Sequence, residues 1–105
     1  MENINKLTFA ESERLAILME ECGEVIQIIG KILRHGYSSS DPNIIKPYQI
    51  TNRDLLTHEV ADILAITELM TTTSDLDKSR LISARDGKLS RITGYTHYQE
   101  PYNAQ

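Results

Sequence analysis

Two short stretches carry the side chains of this sequence that could do chemistry. Glu20, Glu21 and Glu24 lie within Leu18-Met19-Glu20-Glu21-Cys22-Gly23-Glu24-Val25, and Glu59 and Asp62 within Leu56-Thr57-His58-Glu59-Val60-Ala61-Asp62-Ile63. Glu21 and Glu24 are three residues apart, as are Glu59 and Asp62, so on a helix each pair shares one face and can grip one object. Four carboxylates brought together repel, and removal from water raises the cost of their charge, so a cation is expected between them. The apolar stripes around them contain no Lys or Arg to supply it. Hard oxygen donors favour Mg²⁺ or Mn²⁺, with water completing the shell. The alternative is that Lys or Arg from another helix or subunit seals the acids into ion pairs with no chemistry.

The elements that must hold these residues are legible from periodicity. At about 100° per residue, Leu15, Leu18, Met19, Cys22, Val25, Ile26, Ile29, Ile32 and Leu33 form one apolar stripe, with Glu21 and Glu24 on its flank and Glu20 pointing further out. Thr8-Phe9-Ala10-Glu11 fits a capping box, which predicts a helix from Phe9 to about His35, with Gly36 as its stop. Gly23 and Gly30 inside it suit close helix approach or room beside the carboxylates. Thr51-Asn52-Arg53-Asp54 offers a second cap and predicts a helix over 52–71, on which Leu55, Leu56, Ile63, Ile66 and Met70 bracket Glu59. A third, weaker stripe of Leu81, Ile82, Leu89 and Ile92 predicts a helix over about 75–93, starting at Ser74-Asp75-Leu76-Asp77 and ending by Gly94. Residues 36–51 have turn composition, and the tail from Tyr95 has no period.

Three amphipathic helices predict an all-α fold. The stripes on the first two are wide for a lone protomer, so two copies are expected to complete a four-helix core, as a homodimer or homotetramer. The 105 residues suffice for one domain with a modest core. A formal net charge of −4 argues against a general nucleic-acid binder, which would carry a basic face. No apolar run approaches the roughly 20 residues that span a bilayer. The single Cys22 has no partner for an internal disulfide and reads as a small buried hydrophobe in a reducing compartment. A cytoplasmic protein is expected, with no membrane partner.

Glu20-Glu21-Cys22-Gly23-Glu24, followed on a second helix by Glu59-Val60-Ala61-Asp62, resembles the EExxE and ExxD motifs of the MazG-like all-α nucleoside triphosphate pyrophosphohydrolases. The run from Glu21 through Gln27, Lys31 and Arg34 to Gly36, with Asn52 ahead of the second helix, is most similar to the short phage-type members. The resemblance spans roughly residues 13–92. It implies Mg²⁺-dependent hydrolysis of a (d)NTP between its α- and β-phosphates, giving a monophosphate and pyrophosphate. Carried over by position, Glu21, Glu24, Glu59 and Asp62 would be metal ligands, and Glu20 would serve an additional ion or the attacking water. Lys88 and Arg91 look like the family's basic residues after the second acidic motif.

Elementary electrostatics is consistent with that chemistry. A triphosphate and an acidic site repel unless divalent ions bridge them, and phosphate charge away from the ions should meet basic side chains. Lys31, two turns beyond Glu24, joins Lys88 and Arg91 as a candidate for this, with Arg85 extending their row. No Gly-rich phosphate loop is present to take over the task. Tryptophan is absent, leaving Tyr37, Tyr48, Phe9 or a tail tyrosine for base stacking. Two other readings fit the same residues: a non-catalytic helical dimerisation or nucleotide-binding module, and a phosphoribosyl-ATP pyrophosphohydrolase-like enzyme.

Overall fold

A computed structural model describes residues 4–103. The protein is all-α: α1 spans Phe9–His35, α2 Asn52–Thr72 and α3 Lys78–Arg91, followed by one 3₁₀ turn at Ile92–Gly94. The chain divides into two compact units after Met70.

In the first unit, local chemistry sets where each helix begins. Thr8 and Glu11 form the expected capping box, with the Glu11 amide donating to Thr8 Oγ1 at 3.1 Å and the Thr8 amide to Glu11 Oε1 at 2.8 Å. Thr51 and Asp54 repeat it at α2, where the Asp54 amide donates to Thr51 Oγ1 at 3.2 Å and the Thr51 amide to Asp54 Oδ2 at 3.1 Å. The Thr51 hydroxyl first, and then its amide, hold the Asp54 carboxyl below the usual range. Gly36 ends α1 with φ of 87° and donates its amide to the Ile32 carbonyl, a backbone conformation that glycine adopts without a Cβ penalty.

α1 and α2 run antiparallel. At one end the buried Asn52 donates its side-chain amide to the Gly36 carbonyl at 3.2 Å. Towards the other, Ile17 of α1 and Leu69 of α2 border one groove. The connection 36–51 is irregular, as expected, but its base is pinned. Ser40 and Thr51 form an antiparallel bridge, while the Asn52 and Arg53 amides donate to the Ser39 and Tyr37 carbonyls at 2.8 and 3.0 Å.

Packing divides the apolar stripe of α1 in two. Leu18, Val25 and Ile32 are half-buried, and Ile28, outside the expected stripe, is the residue of α1 that becomes fully buried. On α2 the covered positions are Leu55, Leu56, Ile63, Ile66 and Met70. The remaining residues of the stripe form a second row, Leu15, Met19, Cys22, Ile26, Ile29 and Leu33, that stays exposed. Met19, Ile26 and Leu33 are 73%, 70% and 82% accessible. The expected burial of Cys22 therefore does not hold within this single chain, because its row faces away from α2.

In the second unit α3 starts at Lys78, three residues later than the periodicity suggested. Ser74 takes a positive φ of 66°, which a helical residue cannot have, and Asp77 caps the helix instead, accepting from the Arg80 amide at 2.9 Å. That bond and the one from Ser79 hold the Asp77 carboxyl below its ordinary range. Gly87 is accommodated mid-helix, and the Arg91 guanidinium lies across it: a Cβ there would stand 3.0 Å from Nη1. Residues 95–103 have no regular structure.

Candidate metal centre

The antiparallel pairing of α1 and α2 brings the two acidic stretches together at mid-length. Glu21, Glu59 and Asp62 each offer a carboxylate oxygen within 4.8 Å of the others. Glu24 falls outside that mutually close set, but its carboxyl is near enough to Glu59 to raise it. Glu21 and Glu59 are half-buried and Asp62 is exposed, so the cluster is closed at the helix seam and open beside Asp62. A groove of about 340 Å³ borders that side, walled by Ile17, Ala65 and Leu69 next to Glu21 and Asp62.

Glu21 lies deeper than a flanking position. Residues 14, 18, 21, 25, 28 and 32 alternate at four and three residues and are all half-buried or buried, so Glu21 occupies a core position in the seam between Leu18 and Val25. Glu59 does the same on α2, between Leu55 and Ile63.

The electrostatic consequence is direct. Oε2 of Glu21 and Oε2 of Glu59 are buried and have no hydrogen-bond donor among the described residues. Ionised carboxylates only accept hydrogen bonds, so two of them can touch only by sharing a proton or a cation. Glu59 shows this most: contact with Glu24, then burial, then contact with Glu21 push its carboxyl up to about 7. Glu21 is raised by burial first and by the charges of Asp62 and Glu24, against a lowering contact with Glu59. The groups that shift this pair are carboxyls throughout, with no lysine or arginine among them. The donor set is thus all oxygen, rich in negative charge, partly dry and short of positive charge, which fits a hard divalent cation.

The other expected site residues lie elsewhere. Glu20 is exposed on the outer side of α1. Lys31, two turns beyond Glu24, lines a cavity at the loop end of the hairpin together with His35. His58, next to Glu59 in sequence, borders a separate groove with Asp54 and Ala61. Tyr37 lies under the Arg53 guanidinium, 4.9 Å from its ring centre, and Tyr48 and Phe9 are exposed. In the second unit, Lys88 places Nζ 4.5 Å over the Tyr95 ring and Arg85 pairs with Asp86 at 3.1 Å, while Arg91 is exposed.

Sequence reading missed Ser39, Ser40 and Asp41, which line the cavity beside Lys31. Their composition marks only a turn, and no spacing rule links these loop residues to Lys31, eight to ten residues earlier on a helix. No helix among the described residues is long and apolar enough to cross a membrane. In comparisons with known proteins, no family model, curated protein or solved structure matches the chain.

Proposed function

We propose that the protein is a Mg²⁺-dependent nucleoside triphosphate pyrophosphohydrolase of the MazG-like type, releasing pyrophosphate from (d)NTPs. The observation that carries this reading is the convergence of Glu21, Glu59 and Asp62, with Glu24 near Glu59, around buried oxygens of Glu21 and Glu59 that have no donor among the described residues. Glu21, Glu24, Glu59 and Asp62 would hold the ion. Such an ion, when bound, polarises the phosphoryl centre and lowers the pKa of its water.

The chain's own groups supply the rest. Glu20, outside the cluster, would orient the attacking water or assist an additional ion. Lys31 on α1 would meet phosphate charge, with water forming the new bond to the α-phosphorus as pyrophosphate leaves. The exposed row from Leu15 to Leu33 follows a four-three spacing suited to a second helix. We take a second copy to cover it, completing a four-helix core.

Incubation with each (d)NTP and Mg²⁺, followed by chromatography for monophosphate and pyrophosphate, tests the reading. Turnover is expected, and its loss is expected in Glu21→Gln and Asp62→Asn with helicity retained. Inactivity of the unaltered protein on every nucleotide would overturn the enzymatic reading. Nucleotide binding in that case would favour the non-catalytic module.

A further inference from the structure

A cavity of about 510 Å³ lies at the loop end of the α1–α2 hairpin, within the size range of small-molecule sites. Its walls have two characters. Ile50 and Leu55 supply apolar surface, while Lys31, Ser39, Ser40 and Asp41 supply a cation, two hydroxyls and a carboxylate. The polar wall is held in place by backbone bonds. Ser40 is bridged to Thr51, the Asn52 amide donates to the Ser39 carbonyl at 2.8 Å, and Asp41 Oδ1 accepts from the Asn43 amide at 2.9 Å. The other Asp41 oxygen makes no hydrogen bond within the described residues.

The cavity is in register with the acidic cluster on both helices. Lys31 follows Glu24 by seven residues, Asn52 precedes Glu59 by seven, and Leu55 precedes Asp62 by seven. Seven residues return a helix to nearly the same face about 10 Å along its axis. The cavity therefore opens on the same side of the hairpin as the carboxylates, two turns away, with Lys31 on its wall. That offset is of the order of the reach from the phosphate chain of a nucleotide to its base.

We propose that this cavity is the nucleoside subsite and that Asp41 selects bases whose amino group lies at pyrimidine C4 or purine C6, cytosine or adenine, over uracil and thymine, which carry a carbonyl oxygen at C4. The proposal rests on the nucleotide reading above. An ionised carboxylate can only accept hydrogen bonds, so it matches an amino edge and opposes a carbonyl edge. Ile50 and Leu55 offer aliphatic surface to the faces of the base, and Ser39 and Ser40 can donate to or accept from base or sugar.

Free nucleosides test this without metal or phosphate, which separates its failure from failure of the hydrolytic reading. Cytidine, adenosine, uridine and thymidine are titrated into the full ¹⁵N-labelled chain in the absence of divalent ions, following amide shifts. Saturable shifts centred on Ser39, Ser40 and Asp41 are expected, with cytidine or adenosine binding at least about fivefold tighter than uridine or thymidine. Asp41→Asn keeps the acceptor for the Asn43 amide while adding a donor, and should narrow that preference to about twofold or less. Ile50→Trp should fill the cavity and remove the shifts. Absence of shifts at millimolar nucleoside, shifts confined to other residues, or equal binding of all four nucleosides would each overturn the proposal.

Discussion

The sharpest consequence of the proposed metal site is that protons should compete with a divalent cation for the acidic cluster. The perturbation is pH, and its size follows from Glu59, whose carboxyl is pushed up to about 7 by Glu24, burial and Glu21. A cation binding only the ionised form has its apparent affinity reduced by the protonated fraction, about twofold at pH 7, tenfold at pH 6 and a hundredfold at pH 5. Binding should release about one-tenth of a proton at pH 8, half at pH 7 and nine-tenths at pH 6. Glu21, also raised, steepens the acid side. Calorimetric titration of Mg²⁺ or Mn²⁺ in buffers of different ionisation heat measures affinity and proton release together. Glu59→Gln should bind more weakly at pH 8 and lose most of the pH dependence. A metal affinity that is unchanged between pH 6 and 8, with no proton release, would refute the reasoning.

The metal-free protein should show the same strain in its stability. A carboxyl whose folded-state pKa lies above the unfolded value binds its proton more tightly when folded; this contribution is complete below the ordinary value of 4.5 and is lost as pH rises through about 7. The melting temperature of the metal-free protein should fall across that window and recover on adding Mg²⁺ at pH 8, and Glu59→Gln should flatten the fall; a rise with pH would contradict this. Asn52→Ala removes the latch between α2 and the Gly36 carbonyl and should cost about 1 kcal/mol in chemical denaturation, with faster amide exchange in the loop 36–51. Ile26→Glu places a charge in the uncovered row of α1 and should convert an oligomer to protomers in sedimentation, while a wild-type protein already monomeric at tens of micromolar would remove the case for a second copy.

Much of this protein is written in local chemistry. The capping pairs Thr8–Glu11 and Thr51–Asp54 act over three residues, so the starts of α1 and α2 could be read directly, as could the stop at Gly36. The start of α3 was less legible, since Ser74, Asp75 and Asp77 all have side chains that can cap and only the backbone at Ser74 excluded the earliest choice. The pairing of acids on each helix was likewise a matter of spacing.

What spacing left open was which half of a wide stripe meets the neighbouring helix, because periodicity defines a face but names no partner for it. Only the antiparallel docking of α1 on α2 decided that Ile28 is covered while Met19 and Leu33 remain in water. The same docking moved Glu21 from the flank into the seam and put Glu59 against Glu24 and Glu21. Charge repulsion depends on distance in space, so the raised carboxyls and their donorless oxygens could emerge only when residues far apart in the chain were brought face to face. The cavity beside Lys31 has the same origin, since its polar wall comes from a loop whose position is fixed by bonds to α2.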